Sequence, residues 1–193
     1  MNNITNIALV GVGGQGTLLA SNVISRAAML AGFDVKKSEV HGMAQRGGSV
    51  VSQVRFGEKV YSPIIPEGET DFLVSFELLE SLRYADSVAD TGTAVINRQI
   101  IVPVTVSSGQ QPWVEDIYER IDRAFPKNKI IDAMDIAGAL GNIKATNMVL
   151  TGALSNFLDF DEAVWEQAVS ELVPPKHKDL NVKAFAEGRR VTA

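Results

Sequence analysis

The chain begins with the pattern of a buried strand followed by an amphipathic helix. Residues 7–10 are a short run of apolar side chains, which is typical of a strand covered on both faces of a parallel sheet. From Leu19 to Ala31 apolar residues recur at helical spacing, and Gly32 stands where helices are commonly capped. The pattern therefore predicts a strand, a turn and a helix in direct succession.

The rest of the chain alternates between short apolar runs and helical stripes. Core strands are predicted at 72–76, 94–96 and 130–131, with helices at 78–89 and from Pro112 onward. After Met134 the pattern is helical, and Pro174-Pro175 ends one of these helices. We expect an α/β fold, a Rossmann-like three-layer domain with a mostly parallel sheet and C-terminal helices. A length of 193 residues fits a single domain over residues 1–193.

Two segments interrupt this alternation. Residues 34–40 predict an edge or half-exposed strand, because Lys36, Lys37 and Ser38 are polar. Residues 49–56 and 60–65 flank Gly57-Glu58-Lys59, which predicts a β-hairpin. We therefore expect an antiparallel hairpin insertion beside the main sheet.

The composition argues against several classes of function. A net charge of −5 and a pI of about 5.1 disfavour sequence-independent nucleic-acid binding, which needs concentrated Lys and Arg. No apolar run approaches the roughly 20 residues of a membrane span. The first residues lack the basic and apolar regions of a signal peptide, so a cytoplasmic location is expected.

The chain contains no cysteine, and its only histidines are His41 and His177. Iron–sulfur clusters are held by Cys thiolates, and zinc sites usually draw on Cys or several His. We therefore expect no metal site in this chain. Any centre for electron transfer would come from a partner or from an organic cofactor.

A glycine-rich turn joins the first strand to the first helix. Gly11-Val12-Gly13-Gly14-Gln15-Gly16 fits the pattern G-x-G-x-x-G, in which the first glycine permits the tight turn. The second glycine lets the backbone approach a ligand, and the third lets helix and strand pack. The helix that follows offers unpaired N–H groups to an anion, and Thr17 adds a hydroxyl. We call residues 11–17 the glycine turn.

The glycine turn alone leaves its ligand open. One interpretation is a packing turn that binds nothing. An NAD site would need an acidic residue at the end of the second strand, about 20 residues on. Asp34 comes too early in that strand, and Glu39 is roughly placed but adjoins an unusual loop. NAD is therefore not favoured.

The unusual loop, residues 41–48, places three glycines around His41, Gln45 and Arg46. We call it the second glycine loop. In one interpretation it is a solvated loop, where His41 caps a strand and Arg46 pairs with a surface carboxylate. In the other it covers a ligand or a partner subunit. Arg46 would then bind a carboxylate or phosphate through two hydrogen bonds, and His41 would donate a hydrogen bond or shuttle a proton.

Three segments together resemble the gamma-type domain of 2-oxoacid:ferredoxin oxidoreductases, and in particular the indolepyruvate branch of that family. They are residues 11–16, residues 38–48 and the segment Asn147-Met148-Val149-Leu150-Thr151-Gly152-Ala153. The resemblance spans the chain from about Ile7 to Phe185. The second glycine loop is far more specific than the glycine turn alone.

The resemblance implies a small subunit of an enzyme that oxidatively decarboxylates indolepyruvate or another aryl 2-oxoacid. Coenzyme A and oxidised ferredoxin are consumed, and aryl-acyl-CoA, CO2 and reduced ferredoxin are formed. In this family thiamine diphosphate and the iron–sulfur clusters lie on the large partner subunit. The missing cysteines and the lack of a Gly-Asp-Gly thiamine signature in this chain agree with that division.

The resemblance also assigns cofactor-binding or interface roles to the matching residues. They are Gly11, Gly13, Gly14, Gln15, Gly16, Thr17, His41, Gly42, Gln45, Arg46, Gly47 and Asn147. His41 and Arg46 are in addition candidate catalytic residues. Both loops would frame the side of the active site that binds coenzyme A, with the glycine turn near a phosphate group. Asn147 either caps a loop or faces the same cleft, since a buried amide needs partners.

Two other functions are compatible with the sequence. One is a stand-alone NAD(P)- or flavin-binding reductase, and the other is a purely structural docking subunit. In the favoured interpretation the partners are the large thiamine and iron–sulfur subunit and, indirectly, ferredoxin. We also expect the isolated chain to form homodimers, because a partner-binding face left uncovered is apolar.

Overall fold

The computed structural model describes residues 4–41 and 48–193, including the backbone but not the side chain of His41. The strands in these residues are β1 (Thr5–Val12), β2 (Asp34–His41), β3 (Ser49–Gly57), β4 (Thr70–Ser75), β5 (Val88–Asn97) and β6 (Asn128–Ile131). The α-helices are α1 (Thr17–Leu30), α2 (Leu78–Arg83), α3 (Val104–Ser107), α4 (Ile117–Ala124), α5 (Ala133–Ala139), α6 (Thr146–Ser155), α7 (Glu162–Leu172) and α8 (Lys178–Thr192). None of these helices is long and apolar enough to cross a membrane.

The strands form one mixed sheet in the order β2-β3-β1-β4-β5-β6. Strands β1, β4, β5 and β6 are parallel, whereas β3 runs antiparallel between β1 and β2. The predicted mostly parallel sheet is confirmed, as is the position of residues 34–40 on an edge strand.

The antiparallel part of the sheet differs from the predicted hairpin. β3 pairs with β2, so the connection between the paired strands is the second glycine loop. Residues 60–65, predicted as a strand, form a coil in which the carbonyl oxygens of Ser62 and Ile64 accept hydrogen bonds from Arg55. Pro63 explains the error, because a proline inside an apolar run removes a donor that a strand needs.

Two predicted helices have different bounds in the structure. The helix predicted at 78–89 ends at Arg83, and the apolar residues from Val88 onward belong to β5. The helix predicted from Pro112 begins at Ile117, so the proline lies before it rather than in its first turn. In both cases apolar spacing identified a helix but not where it begins or ends.

Helices cover both faces of the sheet and create two hydrophobic clusters. Alternate residues of β1 divide between them, with Ile7 and Leu9 facing α1, α6 and α7, and Ala8 and Val10 facing α2 and α4. This division follows from the twofold alternation of side chains along a strand. The predicted three-layer architecture is therefore confirmed.

Helix α6 lies at the centre of the larger cluster, and all ten of its residues are buried. It crosses α8 at two glycines that face each other's backbones. A Cβ atom added to Gly152 would lie 2.0 Å from the carbonyl oxygen of Phe185, and one added to Gly188 would lie 1.9 Å from that of Val149. Only hydrogen atoms fit at this crossing.

We predict that Gly152→Ala lowers the free energy of unfolding by about 3 kcal/mol or more, because the two helices must separate to admit the methyl group. Gly138→Ala in α5 is the matched control. Its new Cβ would lie 3.6 Å from the nearest atom, Cγ2 of Ile143, so its stability should change by less than about 1 kcal/mol. Urea unfolding followed by circular dichroism measures both. Equal effects of the two substitutions would contradict the close crossing.

Candidate functional site

The glycine turn lies at the carboxyl ends of the parallel strands and borders a cleft of about 450 Å³. Ligands of open α/β sheets commonly bind at this edge. The cleft is lined by Gly14–Gly16, by Phe76 and Gln99 after β4 and β5, and by Met134, Ile143, Lys144 and Thr146. It is therefore built from elements distributed over more than half of the chain.

Gly11 and Gly16 of the turn meet different requirements. A Cβ at Gly11 would lie 2.7 Å from Oε1 of Gln15 and 2.9 Å from Cβ of Phe76, so this position excludes a side chain. Gly16 has a φ of 86°, and its Cβ would lie 2.7 Å from Nδ2 of Asn147. The sequence predicted that Gly16 lets helix and strand pack. Its close neighbour is instead α6, because Asn147 reaches over the turn.

Helix α1 begins at the cleft without a side-chain cap. Gly16 is its N-cap residue, and its first turn contains no acidic residue. Thr17 is buried in that turn. Among the described residues, no side chain therefore caps this 14-residue helix, and its first N–H groups carry the partial positive charge that attracts an anion.

Gln15 joins the glycine turn to the neighbouring strands. Its Oε1 accepts a hydrogen bond from the backbone N–H of Val12 at 2.7 Å. Its Nε2 donates to the carbonyl oxygen of Phe76 at 3.1 Å and to Oε1 of Gln99 at 3.0 Å. Both N–H groups of this amide are thus used within the protein. The predicted cofactor-binding role of Gln15 remains untested, but the contacts make it a scaffold residue.

A second side-chain amide, that of Asn97, donates to the same two acceptors as Gln15. Its Nδ2 donates to the same Phe76 oxygen at 3.1 Å and to the same Gln99 Oε1 at 3.2 Å. Asn97 is fully buried, and its Oδ1 has no partner among the described residues. We call Gln15, Asn97, Gln99 and the Phe76 carbonyl the amide cluster. Asn97 and Gln99 were not predicted as site residues, although polar residues directly after the buried run 94–96 are a signal of a site.

Asn147 caps the glycine turn. It is buried, its Nδ2 donates to the carbonyl oxygen of Gly16 at 3.3 Å, and its Oδ1 accepts from the backbone N–H of Met148 at 2.9 Å. Of the two alternatives that the sequence left open for Asn147, the structure favours the loop cap. The contact between residues 16 and 147 brings together two of the three segments that carried the resemblance.

The end of the second glycine loop is attached to the glycine turn. The backbone N–H of Gly13 donates to the carbonyl oxygen of Gly48 at 2.9 Å. The next residue, Ser49, donates from its hydroxyl to Oε2 of the buried Glu80 at 2.5 Å. His41 ends β2 opposite Val50. The side chain of His41 and the predicted site residues Gly42, Gln45, Arg46 and Gly47 lie outside the described residues.

A buried carboxylate organises the backbone beside the amide cluster. Glu77 follows Phe76, caps α2 by accepting from the N–H of Glu80 at 2.8 Å, and accepts from the N–H of Ile101 at 2.9 Å. Burial raises the pKa of the Glu77 carboxyl above its usual range, although these hydrogen bonds act in the opposite direction. Glu77 therefore fixes the segment after β5 to the start of α2.

The sheet order argues further against the NAD interpretation. In a dinucleotide-binding fold the second strand lies next to the first, which brings its acidic residue to the ribose. Here β3 separates β2 from β1, and Glu39 forms an ion pair with Lys37 at 2.6 Å. Among the residues that the structure describes, no group of three His, Asp or Glu side chains could hold a metal ion.

With this geometry in place, comparison with known proteins identifies the family. The chain matches the family described as Pyruvate ferredoxin/flavodoxin oxidoreductase over residues 6–191. The protein belongs to this family.

Similarity to known proteins extends over almost the full length of this chain. Indolepyruvate oxidoreductase subunit IorB of Thermococcus kodakarensis is 43% identical over 188 residues, covering 95% of this chain and 93% of the relative. The gamma subunit of a keto/oxoacid ferredoxin oxidoreductase from Geobacter sulfurreducens has a TM-score of 0.74 at 20% identity, covering 98% and 97% of the two chains. The predicted family and fold class are thus confirmed.

A third comparison concerns a longer chain. The 2-oxoglutarate:ferredoxin oxidoreductase of Magnetococcus marinus, solved with 2-oxoglutarate, coenzyme A and succinyl-CoA bound, has a TM-score of 0.76 at 19% identity. The match covers all of this chain and 31% of the Magnetococcus chain. The oxidoreductase assignment is confirmed by these relatives, whereas the predicted single domain over 1–193 and the predicted site residues stay predictions.

We predict that Gln15→Met destabilises the fold by about 1–3 kcal/mol, because the thioether keeps the length of the side chain but loses its hydrogen bonds to Val12, Phe76 and Gln99. Gln110→Met at an exposed position is the control and should change stability by less than about 0.5 kcal/mol. Thermal unfolding measures both. A Gln15→Met protein as stable as the wild type would show that the amide cluster does not support the turn.

Proposed function

We propose that this protein is the small subunit of an indolepyruvate ferredoxin oxidoreductase, which oxidatively decarboxylates aryl 2-oxoacids to acyl-CoA. The observation that carries this proposal is the 43% identity to IorB over almost the whole length of both chains. The relatives are named as subunits, so we infer that this chain acts together with a large partner subunit and, through it, with ferredoxin.

The chemistry of the side chains supports a partner that carries the redox centres. Thiolates are the usual ligands of iron–sulfur clusters, and this chain has no cysteine. It also lacks a Gly-Asp-Gly thiamine signature. The residues present do not fit either group, so we place thiamine diphosphate and the clusters on the large subunit. Decarboxylation and electron transfer would then occur there.

The cleft supports a role for this chain in binding coenzyme A. The start of α1 offers N–H groups that no described side chain caps, together with partial positive charge, and the exposed Lys144 lines the same cleft. Both features suit a phosphate group. Met134 and Ile143 supply an apolar wall for the uncharged arm of the ligand. We infer that the glycine turn holds a phosphate of coenzyme A while the thiol extends toward the partner.

The second glycine loop would complete this site. Its described end is attached to the glycine turn, because the N–H of Gly13 donates to the carbonyl oxygen of Gly48. In this proposal Arg46 binds an anionic group of coenzyme A or of the 2-oxoacid, and His41 remains the candidate for proton transfer. Homodimerisation of the isolated chain and a cytoplasmic location remain predictions.

Co-expression with the large subunit tests the function. We expect the assembled enzyme to reduce ferredoxin when indolepyruvate and coenzyme A are both present, and more slowly with 2-oxoglutarate or pyruvate. The isolated chain should be colourless and inactive, because it has no cysteine to bind a cluster. Ferredoxin reduction by the isolated chain would refute the division of labour, and a preference for 2-oxoglutarate or pyruvate would refute the substrate.

We further predict that Lys144→Ala raises the KM for coenzyme A about three- to tenfold, because a partly solvated ion pair with a phosphate is lost. The kcat at saturating coenzyme A should be unchanged, since in this proposal Lys144 binds coenzyme A and the redox chemistry occurs on the partner. Lys176→Ala, another exposed lysine that does not line the cleft, is the charge-matched control. An equal effect of both substitutions would mean that general charge, not the cleft, attracts the ligand.

A further inference from the structure

We propose that Gln99 is a ligand-binding residue, whose side-chain Nε2 donates a hydrogen bond to an acceptor oxygen of coenzyme A in the cleft. The inference rests on the proposed function for the identity of the ligand. It deepens that function by assigning a contact to a residue outside the glycine turn and the second glycine loop.

The orientation of the Gln99 amide is determined by its hydrogen bonds to Gln15 and Asn97, whose own orientations are set by backbone groups. The carbonyl oxygen of Phe76 can only accept, so the atoms of Gln15 and Asn97 that face it must be their NH2 groups. Oε1 of Gln15 meets the N–H of Val12, which gives the same assignment independently. These two NH2 groups also meet one atom of the Gln99 amide, at 3.0 and 3.2 Å. That atom must be an acceptor, and therefore Oε1.

The Gln99 amide is thus held at its oxygen, which leaves its nitrogen as the atom that can donate to a ligand. Gln99 lines the cleft and is partly exposed. Its Oε1 accepts two hydrogen bonds, while its Nε2 makes none to the residues that the structure describes. A 180° rotation of the amide would put three NH2 groups together, so the donor cannot exchange places with the acceptor without losing both hydrogen bonds.

The backbone of Gln99 is fixed as well. Its N–H donates to the carbonyl oxygen of Asn97 at 2.8 Å, and its own carbonyl oxygen accepts from the N–H of Leu78 at 2.9 Å. A ligand that meets this donor therefore does not have to order it first, which reduces the entropic cost of binding. Coenzyme A carries phosphate and amide oxygens that accept such a bond.

Two substitutions separate binding from folding. Gln99→Glu keeps an oxygen for Gln15 and Asn97 but replaces the donor by a charged acceptor. In the assembled enzyme we expect it to raise the KM for coenzyme A at least about tenfold, with kcat and the KM for the 2-oxoacid changed less than about twofold. Gln99→Met also removes the acceptor, so it should lower the melting temperature, which Gln99→Glu should leave near the wild-type value.

Gln110→Glu adds the same charge at an exposed position outside the cleft and serves as the control, with every parameter unchanged. An unaltered KM for coenzyme A in Gln99→Glu, in an enzyme whose wild type requires coenzyme A, would overturn the role of Gln99 alone. Equal losses of kcat and of melting temperature in both Gln99 variants would assign Gln99 to the scaffold. A wild-type complex that reduces ferredoxin without coenzyme A would overturn the proposed function, and this inference with it.

Discussion

The structure depends on how the carboxyl ends of three parallel strands are joined. A strand end leaves backbone groups without ladder partners, and burying them unpaired costs free energy. In this protein the Phe76 carbonyl after β4 accepts from two side-chain amides, one from the glycine turn after β1 and one from the end of β5. The ends of β1, β4 and β5 are thereby held in one arrangement. The turn, the start of α1 and the cleft take their positions from it.

Within the amide cluster, support of the fold and contact with the cleft belong to different residues. Gln15 stands inside the glycine-rich pattern, yet both N–H groups of its amide are bonded within the protein. Gln99 stands outside every motif, lines the cleft, and has a side-chain nitrogen with no hydrogen bond to a described residue. The antiparallel strand β3 is a departure from a dinucleotide-binding fold. It takes the place beside β1 where the ribose-binding strand would lie, and it brings Gly48 to Gly13. The strand–turn–helix of β1, the glycine turn and α1 therefore lies next to an antiparallel strand and the end of the second glycine loop.

Much of the fold could be predicted from local pattern alone. The buried run at 7–10, the helix after Gly16 and the helices after Met134 are encoded in short windows, and the structure contains all of them. The hairpin was misplaced because Pro63 interrupts an apolar run that otherwise resembles a strand. The amide cluster could not be predicted, because Gln15 and Gln99 are 84 positions apart and no spacing rule relates them. The family resemblance supplied what spacing could not, namely the substrate class and the division of cofactors.

The crossing of α6 and α8 limits how this protein can change. Gly152 faces the backbone of α8, and Gly188 faces the backbone of α6, so each position is already occupied by the smallest residue available. A larger residue on one helix cannot be compensated by a smaller one on the other. Substitutions at these two positions therefore cannot bring the two helices closer together. Helix α6 also carries Asn147, whose Nδ2 donates to the carbonyl oxygen of Gly16. The glycine crossing thus fixes α6 against α8, and through Asn147 this helix holds the glycine turn that borders the cleft.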